Sequence, residues 1–76
     1  MDVNAAWKEL MYLISGDEGL MPVSDVERAQ ELVDSITSWV QHGGFLPSGV
    51  EVGRTSFCVM VRSIGMWLGI VHDLNS

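Results

Sequence analysis

The residues that could act in nucleophilic catalysis are Cys58, the single cysteine of the chain, and its two histidines, His42 and His72. A cysteine nucleophile needs a base within hydrogen-bond reach to take up its proton. If residues 58–72 form one helix, His72 lies about four turns from Cys58 and is out of reach. His42 would have to be brought there by the fold, and the three side chains match no zinc-ligand spacing. The stretch at residues 49–54 also lacks the spacing and the Lys-Ser/Thr ending of a phosphate-binding loop. We therefore expect neither an enzyme nor a bound metal or cofactor.

The acidic side chains suggest a different kind of site, a charged binding surface. Glu27, Glu31 and Asp34 are spaced four and three residues apart, so on a helix they share one face. Residues 17–34 hold six of the ten acids of the chain and only one base, Arg28. One interpretation is a solvated face that keeps the protein soluble. The other is an acidic patch, formed by Glu27, Glu31 and Asp34, that binds a basic surface on a partner protein.

Length and composition limit the classes of protein that the chain can represent. We expect residues 1–76 to form a single domain, which is near the lower size limit for a self-sufficient core. The net charge of −6 argues against direct binding to nucleic acid, because that requires clustered Lys and Arg. Yet 47% of the residues are apolar, which is a large share for so small a body. This excess favours a homo-oligomer, and we expect a dimer.

The cysteine content and the apolar stretch bear on location. Cys58 has no second cysteine to pair with, which fits a reducing, cytoplasmic setting. The N-terminal residues contain no basic segment and include Asp2, so we expect no signal peptide. The apolar stretch at residues 57–71 is interrupted by Arg62 and has charged residues on both sides. We therefore do not expect a membrane span.

Three helices are predicted to position these residues, giving an all-α domain that resembles a three-helix bundle. The first covers about residues 3–15, where apolar residues recur at three- and four-residue steps. Asp2 or Asn4 is suited to cap its start, and Gly16 is suited to end it. Residues 16–22 then form a loop that is rich in glycine and acids.

The second helix is predicted over about residues 24–42. Ser24 and Glu27 have the spacing of a capping box, in which each side chain accepts from the other residue's backbone N–H. Gly43 and Gly44 are predicted to end the helix in a tight turn.

Trp39 and the GGFLP turn at residues 43–47 resemble turns of small bacteriophage accessory proteins. The resemblance covers nine residues and defines no named family. It implies a small viral protein and assigns no functional residue. Within the turn, Phe45 and Leu46 are expected to close the end of the core.

The third segment admits two structures. As one helix over about residues 50–74, its apolar residues follow a three- and four-residue periodicity. In the alternative, an α+β fold, residues 50–62 form a β-hairpin and a short helix follows. We favour the helix, because a lone two-stranded ribbon is poorly stable.

On the helix interpretation, two glycines lie four residues apart on one side of the segment, where another backbone can approach closely. That backbone belongs either to another helix of the same chain or to the same helix of a second copy. The apolar excess favours the second copy. We expect self-association through Met60, Ile64, Gly65, Trp67 and Gly69.

Two functions follow as hypotheses. The first is a small acidic protein-interaction module, in its specific form a phage-encoded inhibitor that acts in the host cytoplasm. It would bind a host protein through the acidic patch and dimerise through the C-terminal apolar segment. The alternative is a protein that sequesters a small ligand in an apolar pocket between helices or subunits.

Overall fold

The structure, a computed structural model, describes residues 2–15 and 21–75. Within these residues it contains three helices and no strand: α1 (Val3–Ile14), α2 (Val23–Gln41) and α3 (Arg54–Asn75). The predicted all-α, three-helix fold is therefore confirmed. The predicted helix end at Gly16 and most of the acidic loop that follows lie outside the described residues.

α1 begins where the sequence predicts. The side chain of Asp2 accepts hydrogen bonds from the backbone N–H groups of Asn4 and Ala5, at 3.1 and 3.2 Å. These bonds satisfy two of the donors that a helix start leaves open. Asn4 has another role, because its side-chain oxygen accepts a 2.7 Å bond from the backbone N–H of Ser48. This bond ties the start of α1 to the chain just before α3.

α2 starts one residue earlier than predicted, and the predicted capping box is wrong. The backbone N–H groups of Asp25 and Val26 both donate to the carbonyl of Pro22 at 3.0 Å, so the helix begins at Val23. Ser24 then lies inside the first turn, and no side chain caps this helix. Proline is well suited to this start, because its missing N–H precedes the first turn and removes no helical hydrogen bond.

α2 ends at Gln41 in a Schellman motif, at the two glycines that the sequence predicts. The N–H of Gly44 donates to the carbonyl of Trp39 at 2.8 Å, and that of Gly43 donates to the carbonyl of Val40 at 3.1 Å. Gly43 has a φ of +92°, which residues with a Cβ rarely adopt. A Cβ on Gly44 would collide with the indole of Trp39. Both glycines are therefore required by this geometry.

The turn after α2 is held together by aromatic side chains. The indole N–H of Trp39 donates to the carbonyl of Phe45 at 3.1 Å, and the two rings pack edge to face with their centroids 5.6 Å apart. Leu46 packs against the core, as predicted. Phe45 is 62% exposed, so the prediction that it closes the core is wrong. Its ring covers Trp39 instead.

α3 begins at Arg54 rather than at about residue 50, because the chain first makes another turn. Gly49 lies in that turn with a φ of +87°. The helix opens with the bond from the N–H of Phe57 to the carbonyl of Gly53, at 2.9 Å. Residues 54–62 are helical, so the alternative with a β-hairpin is not supported.

Arg54 also holds α3 to the end of α2. Its Nη1 donates to the carbonyls of Val40 and Gly44, at 2.9 and 2.6 Å. A helix C-terminus leaves carbonyls without helical partners and carries a partial negative charge, so a guanidinium is favourable there.

The core lies along α2, against which both α1 and α3 pack. α1 and α3 meet each other through the rings of Trp7 and Phe57, whose centroids are 5.1 Å apart. The buried apolar residues are Val3, Ala6, Leu10, Val26, Ala29, Leu32, Val33, Ile36, Val40, Phe57, Val61 and Leu68. α3 is the longest helix, with 22 residues, yet it supplies only three of these twelve. Most of the apolar residues of α3 therefore lie outside the fully buried core.

Candidate functional site

The outer face of α3 carries a row of exposed apolar side chains, which we call the outer stripe. Met66 is 74% exposed and Leu74 80% exposed, and Val59 and Ile70 are each 59% exposed. Met60 and Trp67 extend the stripe along one side, at 38% and 45% exposure. Positions 59, 66, 70 and 74 are separated by seven, four and four residues, so they lie on one side of a helix. The stripe is therefore a property of the helical fold and not a scatter of single exposed residues.

α3 thus has two apolar faces on opposite sides. Phe57, Val61 and Leu68 are fully buried and face the core. The outer stripe lies on the opposite side of α3, and at its edge Met66 lines a groove beside α2. An amphipathic surface helix normally carries polar residues on that second side. The departure from that pattern makes the outer stripe a candidate binding surface.

One polar side chain, Ser63, lies within the outer stripe. Its hydroxyl donates to the carbonyl of Val59 at 2.9 Å, one helical turn back. A serine that bonds its own helix in this way has its donor satisfied without water. Ser63 is therefore compatible with burial against another molecule.

The structure separates the five residues predicted for self-association. Met60 and Trp67 belong to the outer stripe. Ile64 is half buried and packs against the core. A Cβ on Gly65 would lie 3.0 Å from Cγ1 of Val33, so this glycine makes room for α2 of the same chain. Gly69 has nothing within 4 Å of its Cβ position.

Val59, Met66 and Ile70 are candidate binding residues that the sequence analysis missed. They lie on a third side of α3, apart from both the predicted apolar face and the glycine pair. The signal was present as a second apolar periodicity at positions 59, 66, 70 and 74. The more prominent periodicity of the core face obscured it.

The predicted acidic patch lies on the exposed face of α2. Glu27, Glu31 and Asp34 are all exposed, as their spacing predicts for a shared face. Glu31 is partly neutralised, because Nη1 of Arg28 lies 3.3 Å from its Oε2. In the part of the chain that the structure describes, Glu27 and Asp34 form no ion pair. The patch therefore keeps two uncompensated carboxylates.

Arg28 makes its stronger contact with Glu9 of α1. Its Nε and Nη2 donate to the two carboxylate oxygens at 2.7 and 3.0 Å, a bidentate arrangement that links α1 to α2. The hydrogen bond and the charge of Arg28 hold the pKa of Glu9 below its usual value. The same contact raises the pKa of Arg28 further. Arg28 therefore serves the fold and leaves little positive charge for the acidic patch.

Two open grooves lie beside these surfaces. One, of about 420 Å³, runs between α2 and α3 and is lined by Gln30, Val33, Asp34, Arg62, Gly65 and Met66. The other, of about 440 Å³, is lined by Ser35, Ser38, Trp39 and His42. The linings of both grooves combine polar and apolar groups, and both grooves are wide open to solvent. An enclosed apolar pocket for the ligand-sequestering alternative would therefore have to form between subunits.

Cys58 and His42 were considered above for nucleophilic or metal chemistry. Cys58 is a free, half-buried thiol on α3. His42 directly follows α2, and its Nδ1 lies 2.7 Å from the carbonyl of Ser38 in the last turn of that helix. Among the described residues, no group of three or more His, Cys, Asp or Glu side chains is arranged to hold a metal ion.

α3 is also long and apolar enough to cross a membrane. The span Arg54–Leu74 has 21 residues, and an 18-residue stretch within it has a mean hydropathy of 1.4. The core helix of a globular protein meets the same criteria, but only 17% of that stretch is buried inside the molecule. The low burial agrees with the exposure of the outer stripe.

No family model, curated protein or solved structure matches this chain.

Proposed function

We propose that the protein is a small interaction module that forms a homodimer through the outer stripe of α3. The observation that carries this proposal is the row of exposed apolar side chains from Val59 to Leu74. Such a surface is unfavourable in water, because the free energy of exposing it is roughly 25 cal/mol for each Å². A second copy offers an identical apolar surface of matching length.

The area of the outer stripe is at the low end of what a dimer needs. The exposed fractions of its six side chains amount to about three and a half whole side chains, and most of these are smaller than an aromatic side chain, for which about 150 Å² is the lower figure. The outer stripe therefore exposes roughly 500 Å² in each copy, and two copies would bury about 1,000 Å² in total, the minimum for a specific interface. Met60 and Met66 are flexible and can adjust to the facing surface.

The acidic patch on α2 supplies a second binding surface in this proposal. Glu27 and Asp34 present carboxylates that fit a basic surface on a partner protein, and a net charge of −6 strengthens their attraction for it. The specific form of the proposal is a phage-encoded inhibitor that covers a basic groove of a host protein. The GGFLP turn after Trp39, with its resemblance to bacteriophage accessory proteins, favours that form.

The dimer is tested by comparing Ile70→Glu with a matched control, Tyr12→Glu. Both changes replace an exposed apolar side chain by a carboxylate, at 59% and 80% exposure, but Tyr12 lies on α1, away from the outer stripe. An unpaired charge buried in an interface costs roughly 3 kcal/mol or more. We therefore expect Ile70→Glu to raise the dimer Kd at least about a hundredfold.

Light scattering coupled to size exclusion measures this effect directly. The proposal predicts that the unmodified protein and Tyr12→Glu are dimers and that Ile70→Glu is a folded monomer, with helix content checked by circular dichroism. Equal mass for all three proteins would contradict it. A monomer that floats with phosphatidylcholine vesicles would show instead that the outer stripe binds lipid.

A further inference from the structure

We infer that the two copies pair through α3 in antiparallel orientation, with Met66 and Trp67 of both copies at the centre of the contact. This inference rests on the proposed function, because it requires a dimer through the outer stripe. It adds the orientation and the register of the two helices.

The outer stripe has apolar residues at both ends and at its centre, and Ser63 is the mirror position of Ile70 about that centre. Val59 and Leu74 mark its two ends, about 22 Å apart along the helix axis. Its midpoint falls between Met66 and Trp67, where the largest side chains lie. Antiparallel pairing about this midpoint places Val59 of one copy against Leu74 of the second. The whole length of both stripes is then covered.

The charges beside the stripe favour the antiparallel orientation. Arg62 and Asp73 are exposed and eleven residues apart, which is about three helical turns, so they lie along the same edge of the stripe. The opposite edge carries Met60 and Trp67 and no charge. The midpoint between Arg62 and Asp73 falls within one residue of the midpoint of the stripe. The charge pattern and the apolar pattern therefore share one centre.

The parallel and the antiparallel orientation of a two-fold dimer bring different edges of α3 into contact. In an antiparallel pair, a two-fold axis perpendicular to the helices brings the same edge of both copies together. Arg62 of each copy is then nearly level with Asp73 of the other, which gives two contacts between opposite charges. In a parallel pair, the charged edge of one copy faces the apolar edge of the second, and Arg62 meets Met60 and Trp67. Antiparallel helix dipoles also attract each other.

Disulfide trapping distinguishes the two orientations. In a Cys58→Ser background, single cysteines are introduced as Val59→Cys, Met66→Cys and Leu74→Cys, all at exposed positions. Tyr12→Cys, on α1, reports the background from random collisions. A disulfide forms only when the two Cα atoms lie within about 7 Å. The length of the stripe is about three times that distance, so the two orientations give opposite patterns.

We expect Met66→Cys to cross-link with itself. Val59→Cys is expected to cross-link with Leu74→Cys when the two proteins are mixed, and not with itself. Because a docked pair has an effective concentration in the millimolar range, these disulfides should form on the order of a thousandfold faster than the Tyr12→Cys background at micromolar protein.

The outcomes separate this inference from the proposed function. Dimers in which Val59→Cys and Leu74→Cys each cross-link only with themselves would establish the parallel orientation and overturn the inference, while the proposed dimer stands. Dimers that give only background cross-linking at all three positions would place the interface elsewhere and overturn both. Monomeric behaviour by light scattering, with background cross-linking, would also overturn both.

Discussion

Replacing Gly69 with alanine tests whether the outer stripe, and not the glycine pair of α3, is the surface for self-association. Gly69 lies in the helix interior, and nothing in the described chain lies within 4 Å of its Cβ position. Alanine is more favourable than glycine in such a position by about 1 kcal/mol. For a domain of this size, the gain should raise Tm by about 4 to 8 °C. The dimer should persist, since Gly69 lies outside the outer stripe.

Gly65→Ala is the matched control, four residues away in the same helix. Its helix-propensity gain is the same, but the new methyl group would lie 3.0 Å from Cγ1 of Val33. Val33 is only 6% exposed and belongs to the core, so its movement is restricted. Overpacking of this kind costs about 1 to 3 kcal/mol. We therefore expect the Tm of Gly65→Ala to lie at or below that of the unmodified protein.

Thermal unfolding followed by circular dichroism measures both variants. The proteins must be compared at one concentration, because the Tm of a dimer depends on concentration. If Gly69→Ala lowered Tm and dissociated the dimer, a second backbone would have to pack against Gly69. That result would refute the assignment of the interface to the outer stripe.

Two further predictions concern charged side chains. Arg28 lowers the pKa of Glu9 from 4.5 in the folded state, so the stability from this contact is present above pH 4.5 and is lost as the pH falls through the lower folded value. We expect Glu9→Gln to lower Tm at pH 7 and to match the unmodified protein in acid; a Tm difference that persists unchanged in acid would contradict this sign. Glu27→Gln should reduce the capture of a basic host protein from a bacterial lysate at low salt, and high salt should release that protein. The matched change Glu51→Gln, at an exposed acid outside the acidic patch, should leave capture unchanged, and equal loss from both variants would contradict a specific patch.

Local signals in the sequence predicted most of the helical framework. The cap at Asp2 and the helix end at Gly43 and Gly44 depend on side-chain type and backbone freedom within a few residues, so they can be read directly. The start of α2 was misplaced because Pro22 and Ser24 both suit a helix start, and the sequence does not rank them. The start of α3 depends on the turn before it, which the apolar periodicity does not report.

The contacts between helices were harder to predict. The ion pair of Glu9 and Arg28 joins residues nineteen positions apart, and its formation depends on how α1 and α2 align. A glycine in a helix indicates a close neighbour but does not identify it, so Gly65 was assigned to a second copy although Val33 occupies that side. The outer stripe could not be predicted, because the sequence does not show which apolar residues of α3 face the core and which remain exposed.

Sedimentation equilibrium of the unmodified protein is the most direct test of the central claim that a second copy covers the outer stripe. The experiment spans about 1 µM to about 1 mM, which brackets the Kd range of weak and moderate dimers. A mass that rises to twice the 8.4 kDa of the chain is the predicted result. A mass that stays at 8.4 kDa throughout would contradict the claim.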